Sequence, residues 1–178
     1  GLVELNGNHL SNQKYLHTNS GFSWKGQSLS SESKSKFISD TSLSLDVVKP
    51  YTHLGHMQAR DFTYKSFGKA PFENKGSVIA TNSAVINAQF NNTETGIAQL
   101  DSLFLDDGLG SSIIPFVNQG QLTLRKLKSL GQTHDYGQVL RPIINGSIRN
   151  SKAKLFIEDS GYSYGVEERK KGRELKYG

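Results

Sequence analysis

Apolar and polar side chains in this chain alternate with a period of two, and that pattern constrains the fold more than any other feature. In "TSLSLDVV", residues 41–48, Leu43, Leu45 and Val47 fall on one face, with Ser42, Ser44 and Asp46 on the other. In "SAVINAQFNN", Ala84, Ile86, Ala88 and Phe90 alternate with Val85, Asn87 and Gln89. "RDFTYKSF" sets Phe62 and Tyr64 against Thr63 and Lys65, and "KLFIED" groups Leu155 with Ile157. An extended chain sends successive side chains to opposite sides, so each stretch predicts a strand with one face buried and one wet.

Turn residues punctuate these stretches: "NNTETG" at 91–96, "DDGLG" at 106–110, "NQG" at 118–120, "YG" at 136–137 and "NG" at 145–146. Short strands separated by Gly, Asn and Asp predict an all-β fold, an antiparallel barrel of about eight strands or a sandwich. "LTLRKLKSLG" is ambiguous, a strand through Leu122 and Leu124 or a short helix lined by Leu124, Leu127 and Leu130. The serine-rich, charged "GQSLSSESKSK", residues 26–36, reads as an exposed loop or linker. Residues 1–35 are then a small irregular N-terminal segment with this loop at its end, and residues 36–178 a barrel domain. No internal repeat is legible.

A chain of 178 residues has the size of a single domain. No apolar run approaches the roughly 20 residues that cross a bilayer, so no transmembrane segment is expected. Met57 is the only methionine, so a processed product is expected, its secretion signal already removed. The absence of cysteine excludes disulfides, thiolate metal sites and cysteine nucleophiles together. With so much Ser, Asn, Gly and Thr, a secreted or cell-surface bacterial protein is expected.

The net charge of +5 is uneven: residues 121–178 carry 12 basic and 6 acidic side chains, residues 61–120 only 3 and 6. The densest part, "EERKKGRELK", interleaves three glutamates with five basic residues, as a solvated, salt-bridged face does. No aromatic-basic stacking platform or helix-turn-helix spacing accompanies the charge, so nucleic acid is not expected as a partner.

Hydrolytic chemistry finds no support. "GYSYG" at 161–165 has the form of a nucleophile elbow around Ser163, but that turn needs a strand-to-helix context. The last histidine, His134, also precedes the serine, so the usual order of serine, acid, histidine cannot be built. In "THDYG", His134 and Asp135 are neighbours that a strand would send to opposite sides. Asp101, Asp106 and Asp107 lack the alternating spacing of a calcium loop. No enzyme is expected.

"PYTHLGHMQAR", residues 50–60, is the richest stretch. His53 and His56 would face opposite sides of a regular strand, but Gly55 between them could break it and let both imidazoles converge. Zinc would need further ligands that no spacing nominates. Haem needs one or two axial imidazoles and a large apolar slot. The expected cofactor is therefore haem, with His53 or His56 on the iron, Tyr51 and Met57 in the wall, and His17 or His9 as further candidate ligands.

From residue 62, "FTYKSFGKAPFENKGSVIATNSAVINAQFNNTETGIAQLDSLFL" resembles the barrel hairpins of bacterial surface lipoproteins of the transferrin-binding protein B and factor-H-binding protein type. Phe67, Gly68, Lys69 and Ala70 match their opening; Phe90, Asn91, Asn92, Thr95 and Gly96 match the strand end. "INGSIRNSKAKLFIEDSGYSYGV" is similar to a second such hairpin. The resemblance implies an eight-stranded antiparallel barrel, and its group includes secreted hemophilin-like haem binders as well as binders of host proteins.

Two functions follow as expectations. The first is an exported, hemophore-like haem-binding protein for iron acquisition, taking haem from a haem-carrying host protein and meeting an outer-membrane receptor. The second is a surface barrel that binds a host protein, as an adhesin or immune-evasion factor does. A phage or virus structural subunit is a third reading.

Overall fold

A computed structural model describes residues 1–68, 70–105, 116–129 and the short strands 143–144, 147–148, 155–158 and 173–175. The chain winds as a parallel β-solenoid of about five turns. Each full coil contributes strand to three faces. The first face stacks β2 (Tyr15–Thr18) and β4 (Lys36–Ser39) on the opening halves of β7 (His56–Lys65), β9 (Ser77–Asn87), β11 (Ile97–Leu105) and β13 (Gln121–Ser129). The second stacks β1 (Leu2–Asn12), β3 (Gly21–Ser31) and β5 (Ser42–Val47) on the closing halves of those long strands, ending at β16 (Leu155–Glu158). The third is a separate sheet of β6 (Tyr51–His53), β8 (Phe72–Asn74), β10 (Phe90–Asn92), β12 (Phe116–Asn118) and β14 (Ile143–Ile144). β15 (Ser147–Ile148) pairs with the start of β13, and β17 (Arg173–Leu175) lies antiparallel on β16.

The antiparallel barrel or sandwich is therefore corrected to a parallel solenoid, and the barrel implied by the lipoprotein resemblance is not formed. The alternation itself is real: β5 runs half-buried, buried through its six residues, and β7 and β9 alternate similarly. Period two normally argues for antiparallel sheets, because a parallel sheet covered by helices on both sides is apolar on both sides. A solenoid escapes that rule. Its parallel strands face the interior on one side and water on the other, and its Gly/Asn turns are corners between faces rather than hairpins.

The irregular N-terminal segment is corrected as well: residues 1–35 hold β1, β2 and β3. The serine-rich stretch expected as a loop is in β3 as far as Ser31. Ser28 and Ser30 face outward there, where their hydroxyls meet the two ring nitrogens of His9 at 2.9 and 3.1 Å. "LTLRKLKSLG" resolves as strand β13 through Ser129.

The interior is built from rows of side chains that stack from coil to coil. One row runs Phe22, Leu43, Phe62, Ala84, Leu103, and another Phe37, Met57, Val78, Ala98, Leu122, all buried. On the third face Tyr51, Phe72 and Phe90 align; Phe72 and Phe90 lie flat on each other, 4.9 Å between centroids at 8°. Tyr51 meets the edge of Phe72 at 5.1 Å. Such aromatic pairs add about 1 kcal/mol each beyond the area they bury.

Where β7 turns from the first face to the second, its register with β9 slips between Ala59 and Asp61. Asp61 fills that corner, accepting from Asn82 Nδ2 at 2.6 Å, Ser83 Oγ at 2.7 Å and Arg60 Nε at 2.9 Å. Partial burial raises its pKa, but these donors outweigh it and hold the carboxyl below its ordinary range. Among the described residues, no helix is long and apolar enough to cross a membrane.

Candidate functional site

The histidine stretch is a corner of the solenoid. His53 ends β6, and Gly55 and Leu54 form the corner with their carbonyls pressed against Gly76 of the next coil. A Cβ on Gly76 would overlap the Gly55 oxygen, so the close stacking of two corners requires glycine there. The corner sends the two imidazoles to opposite sides. His53 is buried and His56 faces outward at the start of β7.

His53 occupies a defined place in the stack. It aligns with Asn74, Asn92 and Asn118, at steps of 21, 18 and 26 residues along the chain. All four are buried. Asn74 Nδ2 donates to Asn92 Oδ1 at 2.8 Å and to the Ile97 carbonyl at 3.0 Å. Asn92 Nδ2 repeats this, donating to Asn118 Oδ1 at 2.6 Å and to the Gln121 carbonyl at 2.9 Å. His53 Nε2 meets the Ser77 carbonyl at 3.1 Å, and Ser77 is the register partner of Ile97. The imidazole thus does for its coil what the asparagine amides do for theirs.

That bond assigns the tautomer: a carbonyl only accepts, so Nε2 carries the hydrogen. In the neutral ring Nδ1 is then an acceptor, with Tyr51 Oη at 3.0 Å and Ser31 Oγ at 3.3 Å. Ser31 Oγ also accepts from the Leu54 amide at 3.1 Å. Burial lowers the His53 pKa to about 4, the Ser77 carbonyl opposing and the His56 charge reinforcing the shift. Burial likewise raises the Tyr51 phenol well above its ordinary value, partly offset by Ser31.

The expected haem residues are therefore dispersed. Tyr51, His53 and Met57 all point into the packed interior, and both ring nitrogens of His53 already have partners. His56 stands on the first face, its Nε2 3.3 Å from Gln58 Oε1. His17 lies two coils away on the same face, its Nε2 2.9 Å from Asp40 Oδ1. Among the described residues, no three His, Asp or Glu side chains group as metal ligands. Asp106, Asp107, His134, Asp135 and Ser163 lie outside the described residues.

What the fold does assemble is a flat outward surface on the first face. Its one row is Tyr15, Lys36, His56, Ser77, Ile97 and Gln121; beside it run His17, Ile38, Gln58, Ile79, Gln99 and Thr123. Neighbours along a row stand about 4.8 Å apart, the strand spacing. Tyr15 is 61% exposed, and its ring lies 6.0 Å from that of His17. Imidazole, amide and phenol groups alternate here with three isoleucines, so the surface offers both hydrogen bonds and apolar contact to an extended partner. Tyr15, Ile38, Gln58 and Gln99 were not singled out by sequence, because only the register brings them together. Comparison with known protein families, curated proteins and solved structures gives no match.

Proposed function

We propose that the chain is a secreted or surface-displayed binding scaffold that holds a host protein against the first face of its solenoid. The supporting observation is the division of labour between the two sides of every strand. Inward rows are filled by side chains that pack one another, so recognition falls to the outward rows. Of these, the first face combines an exposed tyrosine, two histidines and a run of amides and isoleucines. Flat, aromatic-containing, moderately polar surfaces are the kind on which protein partners dock.

The test uses immobilised chain and a panel of host serum and matrix proteins, read by surface plasmon resonance. Tyr15→Ser combined with Gln58→Ala is expected to weaken the captured interaction at least tenfold, about 1.4 kcal/mol. Ser44→Lys, which changes the outward side of the second face, is expected to leave it unchanged. Equal loss in both variants would refute the assignment to the first face.

Haem held by a histidine is the second reading, favoured by the imidazoles that face outward on the first face, His56 foremost and His17 two coils away. Haemin titrated into the chain would then give a saturable Soret shift that His56→Ala abolishes. A flat titration removes haem.

A further inference from the structure

We propose that the corner carrying Phe67 is a membrane contact, which sets that ring into the surface of an anionic phospholipid bilayer while lysines behind it meet the headgroups. The corner joins the second and third faces, so it is the one the first face does not share. Register brackets it in three successive coils: Asp46, Lys65 and Asn87 align before it, and Tyr51, Phe72 and Phe90 after it. Four residues, 47–50, fill the first interval, six, 66–71, the second, and two, 88–89, the third. The middle coil therefore has the most chain to place there. Phe67 is 83% exposed, the highest value for a large apolar side chain among the described residues.

The base beneath that ring is fixed. Ser66 is buried, its Oγ accepting from the Ala70 amide at 2.9 Å and its own amide donating to Asn87 Oδ1 at 3.3 Å. Tyr64, also buried, donates its hydroxyl to the Ala70 carbonyl at 2.9 Å. The ring is thus presented on ordered backbone, and contact costs little further chain entropy. Val48 of the preceding coil, 48% exposed, adds apolar surface, its carbonyl lying against Gly68.

Cationic groups are set back from the tip. Lys65 ends β7 just before the corner, Lys49 follows Val48, and Lys25 shares an outward column with Asp46 and Lys65. All three lysines are exposed, and none forms an ion pair with a carboxylate of the described residues. Lys69 follows Phe67 by two residues in the chain. Against these stands the carboxylate of Asp46. A bilayer presents anionic headgroups outside and apolar chains beneath, so an apolar tip with cations behind it matches the order of its layers. Stable protein contacts cover about 800 Å² on each partner, far more than one ring and a valine supply. Lipids, by contrast, rearrange around a narrow wedge.

The experiment is co-sedimentation of the whole chain with phosphatidylcholine vesicles, with and without admixed phosphatidylserine. Binding is expected only where phosphatidylserine is present, and it should weaken as salt is raised. Phe67→Ser is expected to weaken it at least about tenfold. Lys49→Glu combined with Lys65→Glu is expected to weaken it more than about twentyfold, at about fivefold for each cation lost. Tyr15→Ser with Gln58→Ala should leave it unchanged, which separates this contact from the docking of a host protein on the first face. Phe67→Trp should give emission that moves to shorter wavelength on adding vesicles, over the constant signal of the buried Trp24. No binding to either vesicle, equal binding to both, undiminished binding by Phe67→Ser or an unmoved Phe67→Trp emission would each overturn the proposal. A chain inert toward vesicles that loses a captured protein on Phe67→Ser would overturn it in favour of a protein contact.

Discussion

Asn92→Ala is expected to cost about 4 kcal/mol of folding stability, because three buried polar groups each lose a hydrogen bond, at about 1–3 kcal/mol each. Asn74 Nδ2 loses the Oδ1 it meets at 2.8 Å and keeps only the Ile97 carbonyl. Asn118 Oδ1 and the Gln121 carbonyl each lose the donor they share in Asn92 Nδ2. Water has no route to replace them, since Asn74, Asn92 and Asn118 are all fully buried. A domain is stable by about 5–15 kcal/mol in total, so the loss would move the urea midpoint far down. Asn91→Ala is the control. Asn91 faces outward, where its Oδ1 accepts from Gln89 Nε2, and its removal is expected to cost under about 0.5 kcal/mol. Equal midpoints for the two variants would show that the ladder does not hold the coils together.

Acid is expected to destabilise the chain through His53. Its folded-state pKa is about 4 against an ordinary 6.5. Above pH 6.5 the ring is neutral in both states and stability is full. As pH falls from 6.5 toward 4, the unfolded chain takes up a proton that the folded chain refuses, so stability drops; below 4 both states bind it and the loss stops. The full drop is about 3 kcal/mol, at 1.36 kcal/mol per pKa unit. His53→Asn should remove this slope, because asparagine belongs to the ladder and does not titrate. It is expected to cost no more than about 1 kcal/mol near pH 8, where Ser31 still holds the Tyr51 hydroxyl. Urea unfolding of both chains at pH 4.5, 5.5, 6.5 and 8 decides it. Parallel curves for the two chains would place the acid sensitivity elsewhere.

These two residues also show how much of the molecule was legible beforehand. The aromatic, asparagine and glycine positions of successive coils are present in plain view, as Phe72-Glu73-Asn74 with Gly76 and Phe90-Asn91-Asn92 with Gly96. They stack at unequal steps, because the corners between faces take insertions without disturbing the strands. A search for a fixed period therefore finds nothing. In the first of these units tyrosine replaces phenylalanine and histidine replaces asparagine, so "YTHLG" drew attention as a ligand loop when it is the same corner in other letters. The expected convergence of His53 and His56 failed for a related reason: Gly55 turns the chain from one face of the solenoid to the next, and that rotation keeps one ring in and the other out.

The sequence by itself determined that much of the chain beyond residue 40 is strand, which residues face inward in β5, β7 and β9, and several of the places where the chain turns. Those are local properties, set by alternating burial and by the backbone demands of glycine and asparagine. Only the tertiary structure decided whether a strand's neighbour is the next strand or the one a full coil away. Alternation records that one side of a strand is wet and the other dry, and both an antiparallel barrel and a parallel solenoid satisfy it. The choice rests on contacts about 20 residues apart, Phe72 on Phe90, Asn74 to Asn92, the corner at Gly55 against Gly76, whose energy exists only once the coils are stacked.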